Sequence, residues 1–540
     1  MSNPMQSRGE KPFPQGFVSA VLSSVILLAL FAHAWGAKLS KEERRGKQIY
    51  VKTVSPSGRE ITARVGKSQM VAPGVSLPCI NCHGHDGIGL VESGVTATTI
   101  TWEELTKPYG VRHITGREHP PYTEETLARA ISQGLDPAGR ELDVSMPRYT
   151  MSEADMADLI AYIRRIGTVL DPGLEETSIR VGTFLPLGGR LSPMGKSMES
   201  VLKGFFEDIN RGGGVYGRRL ELHPVELEET AASPLEAARR LMESEDIFAL
   251  VGPFVAGAED AIASLAEELE VPVVGPFTIR PADVNLLNRF TFYIYSGITE
   301  QVRAMLIFAR EKLRGPTGSA AVVYSSKETP EAVLDAAERQ ARKLGWKRLE
   351  KIETAGGTLS PHLFVGTLKQ RDTGVVIHLG TWEEIKAMVQ EADRIEWSPQ
   401  LYLPGSSAGE DLFQILENWG NRVYLAYATA PLDYTGPGAK DFSRFRASRK
   451  LPERHLAAQI SSYCAAKIFV EGLKRTGRQL SREKFIKAMD GMMQFETGLT
   501  PPITYNINRR IGAYGSHVLG LDFQKKSLSS EGYWIPLDIL

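Results

Sequence analysis

The sequence predicts a multidomain chain: a small, mainly α-helical domain followed by a larger α/β domain of two lobes. Three observations predict it. A Cys-x-x-Cys-His stretch, LPCINCHGHDG at residues 77–87, sits among short, well-capped helical patterns. From residue 178 onward, apolar strand runs alternate with amphipathic helices, which implies parallel strands joined by crossovers. Between the two regimes lies a Pro/Gly-punctuated linker, residues 169–177. With 540 residues the chain can bury more than one core.

The N-terminal residues MSNPMQSRGEKPFPQG are polar and slightly basic. An apolar run from Phe17 to Ala37 follows, with small residues at Ala32, Ala34, Gly36 and Ala37. That is the layout of a secretory signal. The run also has the roughly 20 residues of a spanning helix, so residues 1–37 are expected to be a signal peptide or an N-terminal anchor. Either way the body is exported to the periplasm, free or tethered to the inner membrane. No cysteine follows the apolar run, which excludes a lipid anchor on an N-terminal cysteine. Lys+Arg 63 against Asp+Glu 64 gives no bulk electrostatic reason to expect nucleic acid.

Three chemistries use two cysteines at this spacing, and the neighbours decide between them. A structural zinc site needs four ligands, yet the third and last cysteine, Cys464, is far along the chain. It lies in an apolar helical pattern, AAQISSYCAAKIFVEGL, and reads as an inert buried residue. A thioredoxin-like pair needs a preceding strand and a helix N-terminus to lower a thiol pKa, but here the Pro/Gly-rich VAPGVSLP comes first. Covalent haem attachment remains. Cys79 and Cys82 add to two vinyl groups, and the adjacent His83 turns its imidazole to the iron.

The first domain is expected over residues 38–168. SKEERRGKQIY reads as a helix with Ser40 as N-cap. ITWEELTKPYGVRH reads as a loop, and YTEETLARAISQG as a helix capped by Thr123 and stopped by Gly134. A turn and a Met-Pro follow. A last helix is capped by Ser152, with Glu153 and Asp155 in its first turn. This order closely resembles a class I cytochrome c over nearly all of residues 40–168. The resemblance implies one covalently bound haem c, with His83 as the proximal iron ligand and Met146 as the distal one. From the residues themselves, Met146 is held by Pro147 in a loop between helices, where a soft thioether can be aimed at iron. Met151, His113, His119 or a five-coordinate iron are the alternatives. Trp102, Tyr109 and Arg112 are candidate contacts for the haem propionates. The segment 51–78 is longer than a minimal cytochrome c has, and its strand-like REITARV is expected to form a hairpin.

The second domain is expected over residues 178–540. SIRVGTFLPLGG, RRLELHPVE, IFALVGPF and VPVVGPF read as strands separated by helices, and a second set begins at GSAAVVYSS and continues through GVVIHLG and SPQLYLPGSS. Two such sheets in sequence imply two lobes with a cleft where strand ends gather ligands. The stretches IRVGTFLPLGG, INRGGGVYGRRLEL, ALVGPFVAGAEDAIASLAEELEVPVVGPFT and AAQISSYCAAKIFVEGL resemble the branched-chain amino-acid type of periplasmic solute-binding protein, the type I periplasmic-binding-protein fold. In that leucine-binding-protein-like family, the resemblance implies, small hydroxyl residues after the third and fourth strands hold the ligand's carboxylate and ammonium. Here Ala256 and Gly257 stand where serines are expected. Thr278 and Arg280 follow the fourth strand; in the second lobe Thr329 stands where an aromatic is common, Trp382 is available, and Ser406 and Ser407 replace an acid. Thr278, Arg280, Thr329, Trp382 and Ser406 are the candidate ligand contacts. With the amino-acid clamp largely missing, an altered ligand, or none, is expected.

The expected function is that of a periplasmic c-type cytochrome. It transfers electrons through a His/Met-ligated haem and is fused to a solute-binding-like domain used for ligand sensing or partner docking. The alternative is an ABC-transporter-type substrate-binding receptor with an accessory haem domain. A catalyst is not expected, because the second domain has no cofactor loop or nucleophile–base set. Expected partners are a redox protein such as a dehydrogenase or another cytochrome, a small molecule in the cleft, and an ABC permease.

Overall fold

The computed structural model describes residues 39–538, apart from 93–94, 114–115, 228–232, 245, 282–287, 313–317, 327–328, 355–360, 410 and 429–436. Residues 1–37, the expected signal peptide or N-terminal anchor, lie outside the described residues. Among the described residues, no helix is long and apolar enough to cross a membrane. The chain divides into two units, Met1–Asp171 and Pro172–Leu540. In the linker, Leu174 bridges Ile179 and the Gly173 carbonyl accepts from the Arg180 N–H, so its last residues pack with the second unit.

In the first unit, α1 (Lys41–Lys52) begins at Ser40, whose hydroxyl accepts from the Glu43 N–H while the Glu43 carboxylate accepts from the Ser40 N–H. Strands β1 (Thr62–Val65) and β2 (Met70–Pro73) form the hairpin expected in segment 51–78. A single helical turn, α2 (Ile80–His83), carries the cysteine motif. Helix α3 (Glu124–Gln133) is capped by Thr123 and ends at Gly134, which sits at φ +73° as a left-handed stop requires. Strand β3 (Arg148–Thr150) pairs with the other edge of β1, placing Ala63 opposite Tyr149. Helix α4 (Glu153–Ile163) starts at Ser152. The stretch expected to be a loop near residue 102 contains one helical turn, Trp102–Leu105.

Helices α1 and α4 cross at Gly46. A Cβ there would lie 1.9 Å from the Asp158 carbonyl oxygen and 2.8 Å from the Tyr162 Cβ. The crossing is fastened by a bidentate pair, Arg45 Nε and Nη2 donating to Asp158 at 2.6 and 2.8 Å. Its apolar side is Ile49, Tyr50, Leu159, Ile160, Tyr162 and Ile163. The Tyr50 hydroxyl then reaches the Gly84 carbonyl at 2.6 Å, tying this core to the cysteine turn.

The second unit opens with β4 (Ser178–Leu185), α5 (Ser192–Arg211), β5 (Arg219–Glu226), α6 (Ser233–Glu243), β6 (Ala249–Val251), α7 (Glu259–Leu269), β7 (Val273–Val274) and β8 (Thr291–Tyr295). It continues with α8 (Ile298–Lys312), β9 (Ser319–Tyr324), α9 (Glu331–Lys343), β10 (Arg348–Glu353), α10 (Pro361–Gln370), β11 (Thr373–His378), α11 (Trp382–Arg394), β12 (Gln400–Pro404) and β13 (Val423–Tyr427). Helix α12 (Leu456–Thr476) and strands β14 (Ile511–Ala513), β15 (Gly515–Asp522) and β16 (Ser527–Pro536) follow, with further helices at Pro437–Ser448 and Arg482–Asp490. The first sheet has the order β14-β8-β7-β6-β4-β5 and is parallel throughout. The second has the order β10-β9-β11-β12-β13-β15-β16, parallel up to β13 and antiparallel beyond it.

The lobes are therefore not two consecutive halves. After building most of the second sheet, the chain returns. Helix α12 packs on α5 of the first lobe through Phe205–Tyr463 and Phe206–Phe469 ring contacts, and β14 extends the first sheet by pairing Ile511 with Tyr293. Strands β15 and β16 then close the second sheet. Cys464 on α12 is fully buried, and burial pushes its thiol up to about 12, which agrees with an inert role.

Candidate functional site

The cysteine motif forms because Cys79 stands at the N-cap position of α2 and Cys82 lies one turn on, so both thiols face one side. Both are free cysteines. Burial pushes the Cys79 thiol up to about 12, the opposite of the lowered pKa that a redox-active pair needs. The next residue, His83, is half-buried with Nδ1 3.0 Å from the Thr98 carbonyl oxygen. That carbonyl accepts the Nδ1 proton, fixes the ring and leaves the Nε2 lone pair to bind a metal. Burial holds the His83 pKa below its usual value, which also favours the neutral, ligating ring.

The surroundings suit a large apolar group. Leu90 donates its N–H to the Cys82 carbonyl and Gly89 to that of His83, so the chain doubles back beside the motif. Leu90 and Ile88 lie about half exposed there, and Cys82 is exposed. Two free thiols on one face, a fixed imidazole and exposed aliphatics fit a covalently held haem.

Met146 comes from a different loop, between α3 and β3. It is half-buried, followed by the buried Pro147, and its N–H donates to the Asp143 carbonyl at 3.1 Å. Tyr109 and Arg112 line a surface groove of 690 Å³ together with His119 and Arg140. Trp102 instead lies under the Arg164 guanidinium, 5.4 Å from its ring centre. His119 is buried and packs against His113 and Tyr122.

In the second unit the candidates fall at strand ends. The Thr278 hydroxyl donates to Glu259 at 2.6 Å and accepts from the Arg280 N–H at 2.9 Å. The other Glu259 oxygen accepts from the Gly257 N–H at 3.0 Å. A carboxylate of the chain itself thus bridges the loops after β6 and β7. Beside it Phe254 and Phe277, from two copies of a Gly-Pro-Phe turn, stack with centroids 6.1 Å apart. In the second lobe Thr329 is buried ahead of α9 and Ser406 is exposed. Trp382 is half-buried; its indole N–H donates to Asp411 at 2.5 Å and its ring covers Gly409. Tyr427 similarly covers Gly405, where a Cβ would fall 2.1 Å from the ring.

Sequence reading missed Glu259 and the Thr98 carbonyl. The first had a signal, an acid opening α7 two residues after Gly257; the second, a backbone acceptor, has none.

Over residues 66–167 the chain matches the cytochrome c family, and over residues 178–513 the periplasmic binding protein family. The chemotactic signal transduction system substrate-binding protein BasB of Halobacterium salinarum is 25% identical over 239 residues, which cover 43% of this chain and 56% of that protein. Leu/Ile/Val-binding protein homolog 7 of Brucella abortus is 21% identical over 313 residues, 55% of this chain and 77% of that protein. A branched chain amino acid ABC transporter from Thermus thermophilus, solved with bound valine, aligns with a TM-score of 0.54 at 18% identity, over 67% of this chain and 97% of that chain. That likeness is one of fold.

Proposed function

The chain belongs to the periplasmic binding protein family and carries a cytochrome c domain ahead of that fold, and from this premise we propose that it is an exported electron carrier. Cys79 and Cys82 would hold one haem c covalently, and His83 and Met146 would be the residues that bind its iron. The binding-protein unit senses a ligand or docks a redox partner, such as a dehydrogenase or another cytochrome. The observation that carries this reading is the α2 turn, with two free thiols on one face followed by an imidazole fixed through Nδ1. When bound, the haem supplies a one-electron couple, and a thioether opposite histidine raises its potential. The Thr98 carbonyl keeps the His83 ring oriented; the aliphatic side chains of Ile88 and Leu90 limit water at that face.

Met146 is tested by substitution. In the oxidised protein Met146→Ala is expected to remove the weak long-wavelength band of an iron–thioether bond and to lower the reduction potential. A variant that keeps both would move the axial role to another residue.

A second reading, a small-molecule receptor with an accessory haem domain, is favoured by the fold of the second unit and the names of its relatives. The first-lobe loops argue against an amino-acid ligand, because Thr278 and the Gly257 N–H already serve Glu259. A ligand carboxylate placed there would meet a like charge, and an unpaired buried charge costs several kcal/mol. Leucine, isoleucine and valine are therefore expected to give no thermal shift. A site loaded to about a hundred times its dissociation constant would add about 2.7 kcal/mol, which differential scanning detects readily. Saturable stabilisation by any of the three would put the receptor reading first.

A further inference from the structure

The loop that carries Met146 is short of regular ladder hydrogen bonds, and one side chain supplies what the ladder does not. Arg148, the first residue of β3, turns its guanidinium back over the loop. Nη2 donates to the Leu142 carbonyl at 2.8 Å, Nη1 reaches the Asp143 carbonyl at 3.3 Å, and Nη1 also donates to the Met146 carbonyl. One planar fork thus ties both ends of the 142–146 segment to the strand that follows it. The floor beneath is Gly134, where a Cβ would lie 1.6 Å from Arg148 Nε. That left-handed residue both ends α3 and makes room for the guanidinium. The Gly134 carbonyl in turn accepts from the Leu142 N–H at 2.7 Å, and Asp143 holds the Ser145 N–H and hydroxyl at 2.9 and 2.7 Å.

Hydrogen bonds from a charged donor are roughly twice as strong as neutral ones, and only a rigid fork of several donors reaches carbonyls on two sides of a loop at once. Met146 itself is an unbranched side chain with three rotatable bonds, so its sulfur is placed by its backbone far more than by its own packing. A thioether is also a weak iron ligand, easily replaced by water or a stronger base when its loop drifts. We propose that Arg148 is a positioning residue for the axial thioether: by clamping the Leu142, Asp143 and Met146 carbonyls over Gly134, it keeps the Met146 sulfur in place and thereby sets the reduction potential. The proposal rests on the assignment of Met146 as the distal ligand.

The test uses the full-length holoprotein in three variants, Arg148→Ala, Arg148→Lys and Met146→Ala. Covalent haem content, the long-wavelength thioether band and the reduction potential are measured on each. Arg148→Ala is expected to keep wild-type haem content, since Cys79, Cys82 and His83 are untouched, yet to lose most of the thioether band at neutral pH. Its potential shifts negative, toward that of Met146→Ala. Arg148→Lys, which returns the charge without the fork, falls between the two. A loop brace with no bearing on the iron would lower the unfolding midpoint while leaving band and potential at wild-type values; that result overturns the proposal. Should Arg148→Ala lose its fold by circular dichroism, Arg148→Lys decides alone: a wild-type band and potential refute the clamp, and a partial loss supports it. If Met146→Ala itself keeps the band, the axial assignment fails first, and the role given to Arg148 falls with it.

Discussion

Replacing Cys79 and Cys82 together with alanine is expected to abolish covalently bound haem altogether. In attachment each thiol adds across a vinyl group: a sulfur–carbon bond forms, and the thiol hydrogen ends on the neighbouring vinyl carbon. No other side chain within reach does this chemistry, since Cys464 is buried in α12 of the other unit. The effect is therefore all or none, not a graded loss of affinity. The wild type, expressed where haem is attached on the exported side, is expected to keep its colour through acid-acetone extraction and to stain for haem on a denaturing gel. The double variant does neither. Each single variant keeps one thioether and one vinyl group, which stays conjugated with the ring and moves the reduced absorption band to longer wavelength. A wild type that purifies colourless with zinc, or a double variant that still carries extraction-resistant haem, would sink the assignment of the first unit.

What was legible in the sequence was mostly local. Ser40, Thr123 and Ser152 announce their helices because a capping hydroxyl satisfies backbone N–H groups only three residues away. The cysteine turn is equally local, three side chains within five residues. The apolar runs that give β4, β6, β7 and β8 follow from those strands being buried on both faces, whereas the edge strand β5 is largely exposed. The return of the chain to the first lobe was not legible. Tyr293 and Ile511 are paired across more than 200 residues, and nothing in the local pattern of either names the other. Nothing in GSHVLGLD or the more polar SLSSEGYWIP marks β15 and β16 as antiparallel until their partners are known.

The same division holds for the sites. The proposed haem residues Cys79, Cys82 and His83 could be named in advance because the chemistry proposed for them needs a fixed spacing. The Met146 loop could be read only in part: Met-Pro marks the residue, while the Arg148 fork that braces it depends on a fold that brings residues 134 and 148 into contact. Among the candidate ligand contacts, Trp382 is the residue type that stacks on ligands, yet its indole N–H is engaged by Asp411 and its ring packs over Gly409. Glu259 illustrates the converse. An acid in the first turn of a helix is ordinary, and it acquires meaning only once Thr278 and Gly257 are seen to converge on it.

Gly46→Ala is expected to produce the largest loss of stability in the first unit, against its own helix propensity. Within an exposed helix, alanine is favoured over glycine by about 1 kcal/mol. At Gly46 that gain is outweighed, because the new methyl would meet the Asp158 carbonyl at 1.9 Å and the Tyr162 Cβ at 2.8 Å. The Asp158 atoms are backbone and a Cβ is fixed by its backbone, so no rotamer change relieves the clash; α1 and α4 must move apart, opening gaps around Ile49, Tyr50, Leu159 and Ile163. Overpacking of a close-packed core costs up to about 3 kcal/mol, which for a domain of this size lowers the midpoint by roughly 10 °C. The damage does not stop at the crossing. Tyr50 both packs on Tyr162 and donates to the Gly84 carbonyl, so its displacement loosens the turn that ends in His83. Thermal unfolding of the full-length holoprotein, followed through haem absorbance, reads this unit separately from the second. Gly58→Ala serves as the control: its φ of +74° is unsuited to alanine, unlike the helical backbone at Gly46, but no atom lies within 4 Å of the new methyl. There the loss is expected to be only about 1 kcal/mol, the backbone term alone. If the two variants melt together, the crossing has room that the structure denies, and close packing at Gly46 is not what holds α1 to α4.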